Sequence, residues 1–434
     1  MSAGRTAYIN ARLLDPASGL DAPGALLVED GRIADLGPRL FADGVPEGIE
    51  AIDCEEHCLA PGLVDVRAFL GEPGAEHKET IATGTEAAAA GGVTTVISTP
   101  DTNPVIDNVP LVEFLARQAE ESALVRVRPM AAVTKGLKGQ EMTEMGMLAE
   151  AGAVALSDGF HTIRSSRVMR RALAYAGNFG VLICHHTEDP DLAADGCMNE
   201  GEVATRLGLT GIPCAAETIV IDRDVRLVEL TGGRYHAAGV STPAAAATIR
   251  AAKARGLDVS CAVAPPHFAL NETEVGDYRT FAKISPPLRS EADRQGMVEA
   301  LRDGTIDIIS SAHAPEDPES KRQPFAQAAF GSVGLETLLP ITLGLYHNGN
   351  LGLLDALAKV TSNPARRFGL EAGTLGKAAP ADLVLFDLDA PWKIDAEKLR
   401  SKAKNSAFDG RPVQGRATRT VVGGNTIYRW TNGA

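Results

Sequence analysis

Strand-forming and helix-forming segments alternate through the middle of this chain, and no other feature constrains its fold as strongly. Thr94-Thr95-Val96-Ile97-Ser98, Ala153-Val154-Ala155-Leu156-Ser157, Val181-Leu182-Ile183-Cys184, Val259-Ser260-Cys261-Ala262-Val263 and Ile306-Asp307-Ile308-Ile309-Ser310 read as strands. Between them lie alanine-rich stretches such as 80–90, 166–176 and 244–254, and alanine is the best helix former. Repeated strand–helix units over roughly 300 residues predict an α/β fold, a (β/α)8 barrel.

The two ends have another texture. Ala7-Tyr8-Ile9, Ala25-Leu26-Leu27-Val28 and Arg32-Ile33-Ala34-Asp35-Leu36 are short strands with a hairpin signal at Glu29-Asp30-Gly31. Residues 381–387 repeat the pattern, and Gly423-Gly424 turns a C-terminal hairpin. Both ends therefore predict one small β-sandwich, with residues 1–60 and 371–434 flanking a barrel at 61–370.

A net charge of −14 argues against a nucleic-acid or anionic-membrane partner, since both need basic surface. The six cysteines have no zinc-finger spacing and read as reduced thiols, so a cytoplasmic protein is expected. Met1 to Thr6 lacks an apolar signal core, and no apolar run is long enough to span a membrane.

At 61–74, a turn leads into an apolar strand whose alternating side chains are Asp65, Arg67 and Phe69. Downstream come Glu72-Pro73-Gly74, Thr94-Thr95-Val96, Thr102-Asn103-Pro104, Ser157-Asp158 and His186-Thr187-Glu188-Asp189. Val240-Ser241-Thr242, Pro286-Pro287-Leu288-Arg289, His313-Ala314-Pro315 and Ser362-Asn363-Pro364-Ala365 complete the series. In order and spacing these blocks resemble class I dihydroorotases along essentially the whole chain. The resemblance implies a metal-dependent amidohydrolase barrel with an appended β-sandwich. It also implies interconversion of carbamoyl aspartate and dihydroorotate, with a divalent metal lowering the pKa of a bound water.

At the family's site positions this chain departs from the pattern. The paired histidines of the first strand are Arg67 and Phe69, and the carboxylate-binding arginine is Gly71. Asp101 and Ser285 replace two asparagines, Gly239 replaces a histidine ligand, and Ala312 replaces the catalytic aspartate. Glu316 stands where a histidine usually follows the last block. Asp158 and His186 are the remnant ligands. A permanently charged arginine repels a divalent ion by roughly 8 kcal/mol at 4 Å and an effective dielectric near 20. Catalytic zinc normally takes three protein ligands.

These substitutions lead to the expectation of no metal, no cofactor and no catalytic residue. Arg67 is expected to pair with Asp158 in the vacated space, with Phe69 filling volume. The resemblance then points to the inactive dihydroorotase-like subunits, with the aspartate transcarbamoylase catalytic subunit as partner and self-association expected. The alternative is an active dihydroorotase or related cyclic-amide hydrolase, such as a hydantoinase relative, with zinc held by a rebuilt set, for example Asp158, His161, His186 and His313. A ligand-binding sensor is a further alternative. His185, adjacent to His186 on a strand, should face outward into packing.

Overall fold

The computed structural model describes residues 4–431; Met1–Ala3, part of the segment read as lacking a signal core, lie outside the described residues. Five N-terminal strands open the chain: β1 (Thr6–Asp15), β2 (Leu20–Glu29), β3 (Arg32–Gly37), β4 (Glu50–Asp53) and β5 (Cys58–Pro61). Eight parallel strands then form the barrel. The first five are β6 (Leu63–Ala68), β7 (Val93–Ser98), β8 (Arg126–Ala131), β9 (Ala155–Leu156) and β10 (Leu182–His185). A two-stranded excursion, β11 (Met198–Asn199) with β12 (Gly211–Ile212), precedes the last three, β13 (Arg234–Ala237), β14 (Val259–Val263) and β15 (Ile308–Ile309). The chain ends in β16 (Leu383–Lys393), β17 (Pro412–Val422) and β18 (Asn425–Arg429).

Barrel strands neighbour one another in chain order, and β15 meets β6 through a parallel bridge between Ala68 and His313. The Phe69 amide donates to the His313 carbonyl, and Ser311 donates to Asp65 through both its amide and its hydroxyl, which closes the ring. Val66, Ile97, Met130, Ala155, Cys184, Ala262 and Ile308 form one buried cluster drawn from seven different strands. That is a filled barrel interior rather than a pore. Outer helices begin at side-chain caps that satisfy their first amides: Thr80 caps Ile81–Ala90, Ser165 caps Ser166–Gly177 and Thr242 caps Pro243–Ala254.

Both chain ends enter a single sheet. β5 pairs in parallel with β1 on one side and antiparallel with β16 on the other, so the seam between the ends is Cys58–Pro61 against Leu383–Phe386. Tyr8, Leu13, Leu26, Leu59 and Leu383 form its core. The strands run longer than the short runs of β-branched residues suggested, because bulges at Tyr8/Ala11 and Leu385/Phe386 let paired strands continue through polar positions. No helix among the described residues is long and apolar enough to cross a membrane. None of the six cysteines is in a disulfide.

Phe386, fully buried at the seam, belongs to the core cluster that runs into the barrel. Replacing it with alanine should cost about 3–5 kcal/mol, because the aromatic volume cannot be refilled from either side. Urea unfolding followed by circular dichroism reads this as a lowered midpoint.

Candidate functional site

The C-terminal ends of the barrel strands open into a pocket of about 400 Å³, the face where barrel loops converge. Phe69 follows β6, Asp101 follows β7, Phe160 follows β9, His186 and Glu188 follow β10, and Ala312 follows β15. Ser285, Glu316 and Phe330 complete its wall. Five of the substituted positions, Phe69, Asp101, Ser285, Ala312 and Glu316, are therefore brought together at one mouth.

Arg67 lies directly beneath, 3% exposed. A register shift between Asp65 and Ala68 against β7 accommodates it. Its guanidinium carbon sits 4.1 Å from the Phe160 ring centre, a cation–π contact in a desolvated place. Nη1 lies 3.4 Å from the Ala238 carbonyl oxygen and Nη2 lies 3.2 Å from His186 Nδ1. Burial pushes the arginine's pKa down, and Asp101, Glu188 and Asp65 act in the opposite direction through space. An arginine remains protonated in such a setting and can only donate.

That fixes His186. Its Nδ1 must accept from Arg67, so the proton of the neutral ring is on Nε2. Burial lowers the His186 pKa, and the Arg67 charge lowers it further against the pull of Glu188. Nε2 lies 3.3 Å from Ser285 Oγ, and Ser285 Oγ lies 3.2 Å from Glu188 Oε1. A donor relay thus runs from Arg67 through His186 and Ser285 to Glu188. Burial acts to raise the Glu188 pKa, but His186, Arg289 and Ser285 outweigh it and hold the carboxyl below its usual range. Glu188 Oε2 and Asp101 Oδ1 are buried with no hydrogen-bond partner among the described residues.

The expected Arg67–Asp158 pair does not form. Asp158 is turned to Thr134, whose amide donates to Oδ1 at 2.9 Å and whose hydroxyl donates to Oδ2. With both oxygens engaged, Asp158 has no need of the guanidinium, and burial raises its pKa. Phe69 also differs from expectation: half-buried, it walls the pocket rather than filling the space below. His161 is exposed, and His313 is fully buried against Glu79 Oε2 at 3.3 Å, so the alternative set Asp158, His161, His186 and His313 is not assembled. His185 faces outward as expected, with Nδ1 2.7 Å from Asp224 and Nε2 accepting from the Ile163 amide.

Two glycines show that the substitutions fit one another. A Cβ on Gly239 would stand 3.2 Å from Arg67 Nη1, so any side chain there would press on the guanidinium and make it give way by a few tenths of an ångström. Gly71 has φ +73°, and a Cβ on it would stand 2.0 Å from the Glu79 carbonyl oxygen, so this backbone admits no arginine. The resemblance implies a divalent metal, and the residues in this arrangement do not fit one. The lone pair of His186 is used by Arg67, Gly239 and Ala312 offer no side-chain donor, and the described residues contain no cluster of three His, Cys, Asp or Glu side chains placed to hold an ion.

Sequence reasoning missed Glu188, Phe160 and Thr134. Glu188 carried a usable signal, because it stands two positions after His186 at a strand end, where alternation returns a side chain to the same face. Phe160 and Thr134 carried none, since their loops are placed only by the assembled barrel.

Arg67→Met should free His186 from its single tautomer and raise its pKa, since the nearby cation is removed. Imidazole nitrogen NMR is the measurement: the wild-type ring should remain neutral and Nε2-protonated to a lower pH than the ring of the variant. His267, buried with Nε2 donating to the Pro286 carbonyl at 2.9 Å, is lowered from 6.5 to about 4 by burial. Between those values the unfolded chain binds a proton that the folded chain does not, so this group's contribution to stability is lost as the pH falls from 6.5 towards 4. Urea denaturation of wild type and His267→Gln across that window should show a shallower decline in the variant.

A family model described as Dihydro-orotase-like matches residues 56–244, and one described as Amidohydrolase family matches 345–428. The curated dihydroorotase of Anaplasma phagocytophilum is 47% identical over 98% of this chain and 95% of its own length. The dihydroorotase of Geobacter sp. is 45% identical over 96% of this chain and 98% of its own. The solved L-hydantoinase (dihydropyrimidinase) of Arthrobacter aurescens superposes with a TM-score of 0.88 at 26% identity, over 98% of this chain and 96% of that one. These findings correct two expectations. Relatives this similar over nearly the whole chain bear the name of the enzyme, which overturns the reading of a non-catalytic partner. The same likeness is to amidohydrolases that the resemblance describes as metal-dependent, so the expectation of no cofactor does not stand either, although the donors described above do not fit zinc. With the barrel, the ordered sequence blocks and this identity along nearly its full length, the chain belongs to the dihydroorotase family.

Proposed function

We propose that this chain is an active dihydroorotase-type enzyme, opening or closing a cyclic amide in the pocket at the barrel mouth. The observation that carries this reading is the 44–47% identity to curated dihydroorotases over 96–98% of the chain. In the family a divalent metal supplies an activated water.

The chain's own residues support the proton movements. Glu188 is held anionic at the pocket wall with one oxygen unpartnered, the state a general base requires. In ring opening, Glu188 takes a proton from the attacking water. The oxygen bonds to the ring carbonyl carbon, the C–N bond breaks, and the proton passes from Glu188 to the departing nitrogen. Closure is the reverse, with loss of water. Arg67, His186 and Ser285 act as positioning residues, because their donor relay ends on Glu188 Oε1 and keeps the carboxylate oriented. Phe69, Phe160 and Phe330 give the pocket apolar walls that exclude bulk water from the ring.

Association with aspartate transcarbamoylase and self-association, both implied by the resemblance, belong to the proposal as partnerships of an active enzyme. Co-elution on gel filtration tests them.

The decisive experiment is interconversion of carbamoyl aspartate and dihydroorotate by the purified chain, with bound metal quantified on the same sample. Turnover supports the reading, and a folded protein without turnover overturns it. Glu188→Gln should lower kcat by about 10²–10⁴-fold, the usual contribution of a general base, with little change in thermal stability.

A further inference from the structure

A second cleft lies away from the barrel mouth, at the junction of the barrel with the strand-rich domain. It measures about 580 Å³ and draws its walls from the helix end at Ala90, from residues 336–340, from the 392–410 segment, and from β17 and β18. The chain has only two tryptophans, and both are here. The guanidinium carbon of Arg416 is clamped between them, 4.6 Å from the Trp392 ring centre and 4.8 Å from that of Trp430. Two indole faces hold the guanidinium plane, and its N–H edge faces the Tyr428 hydroxyl but has no carboxylate within 4.0 Å and no carbonyl acceptor among the described residues.

The charge around this arginine is unbalanced. Lys393, Lys398, Arg400 and Arg429 also line the cleft, and among the described residues only Lys398 of these has a carboxylate within 4.0 Å, Asp395 at 3.7 Å. The acidic groups present are turned to the backbone. Glu336 accepts from the Arg400 and Ser401 amides, and Asp409 accepts from the Ala396 amide. Burial further raises the Glu336 carboxyl to about 7, which weakens its opposition. Four cations without acidic partners among the described residues converge on one cleft in a chain whose net charge is −14. Clustered like charges repel one another, and a bound polyanion relieves that repulsion.

We infer that this cleft is a binding site for a small molecule bearing more than one phosphate, recognised by the indole-clamped Arg416 together with Lys393, Arg400 and Arg429. A guanidinium held flat presents parallel N–H bonds that match two oxygens of a phosphate. The separate flexible cations answer the remaining charge. Nothing in this site depends on chemistry at the barrel mouth, so it stands or falls independently of the proposed activity.

Because both tryptophans flank the site, intrinsic tryptophan fluorescence of the full chain reports on this cleft alone. Inorganic tripolyphosphate should produce a saturable change that weakens with added salt. Citrate, a polyanion built of carboxylates, should bind about tenfold more weakly or not at all. Arg416→Gln should weaken tripolyphosphate at least about tenfold, and Arg416→Lys should recover only part of the loss, since it restores charge without the planar fork. Arg400→Gln and Arg429→Gln, both at exposed positions, should weaken binding with an unchanged thermal midpoint, which separates loss of binding from loss of fold. No fluorescence change with tripolyphosphate overturns the site. Equal affinity for citrate overturns the phosphate class, and full binding by the two exposed-position variants overturns the assignment of its cations.

Discussion

A positive charge that cannot leave stands at the centre of this barrel, and the surrounding structure is arranged to tolerate it. Taking an ion out of water costs several kcal/mol even after relaxation. Arg67 answers that cost with contacts of different kinds: an aromatic face, a carbonyl, an imidazole lone pair and, at longer range, the charges of Asp101, Glu188 and Asp65. Each contact constrains its partner in turn. His186 is held in one tautomer, Ser285 is drawn between His186 and Glu188, and the guanidinium takes up space beside position 239 that a side chain there would press on. The substitutions at this site are one physical arrangement rather than separate losses.

The fold was legible because its signals are periodic and local. Alanine-rich stretches under threonine or serine caps became the outer helices, and apolar runs became parallel strands. The two β-rich ends could be assigned to one domain because both carry the same short strands and tight turns around a long alternating middle. The positions gathered at the mouth were also legible, since strand ends in a barrel converge. Partner choice was not. Whether Arg67 would reach Asp158 or His186 depended on Thr134, a residue 24 positions before Asp158 with no sequence mark of its role. Opposite charge suggested the first pairing, and prior satisfaction of the carboxylate by an amide and a hydroxyl decided for the second.

Function shows the complementary lesson. Counting missing ligands treats each position as independent, whereas identity near 45% along almost the entire chain weighs every position at once. The two kinds of observation address different properties. Donor geometry says what the residues can hold in this arrangement, and relatedness says which chemistry the scaffold has been shaped around. The Glu188 relay is where the two meet, since it offers a proton acceptor without drawing on the absent donors.

The seam between β5 and β16 also governs the order in which the molecule can form. β5 receives β16 only after more than 320 intervening residues, from Pro61 to Leu383, have been made. Until then the N-terminal strands present an open, apolar edge while the barrel is already being synthesised. Non-local pairings of this kind slow folding, and a waiting sheet edge is prone to join the wrong strand. The barrel mouth inherits the delay, because Glu79 completes its contacts only when Ser401 and the Lys402 amide arrive from the far end of the chain.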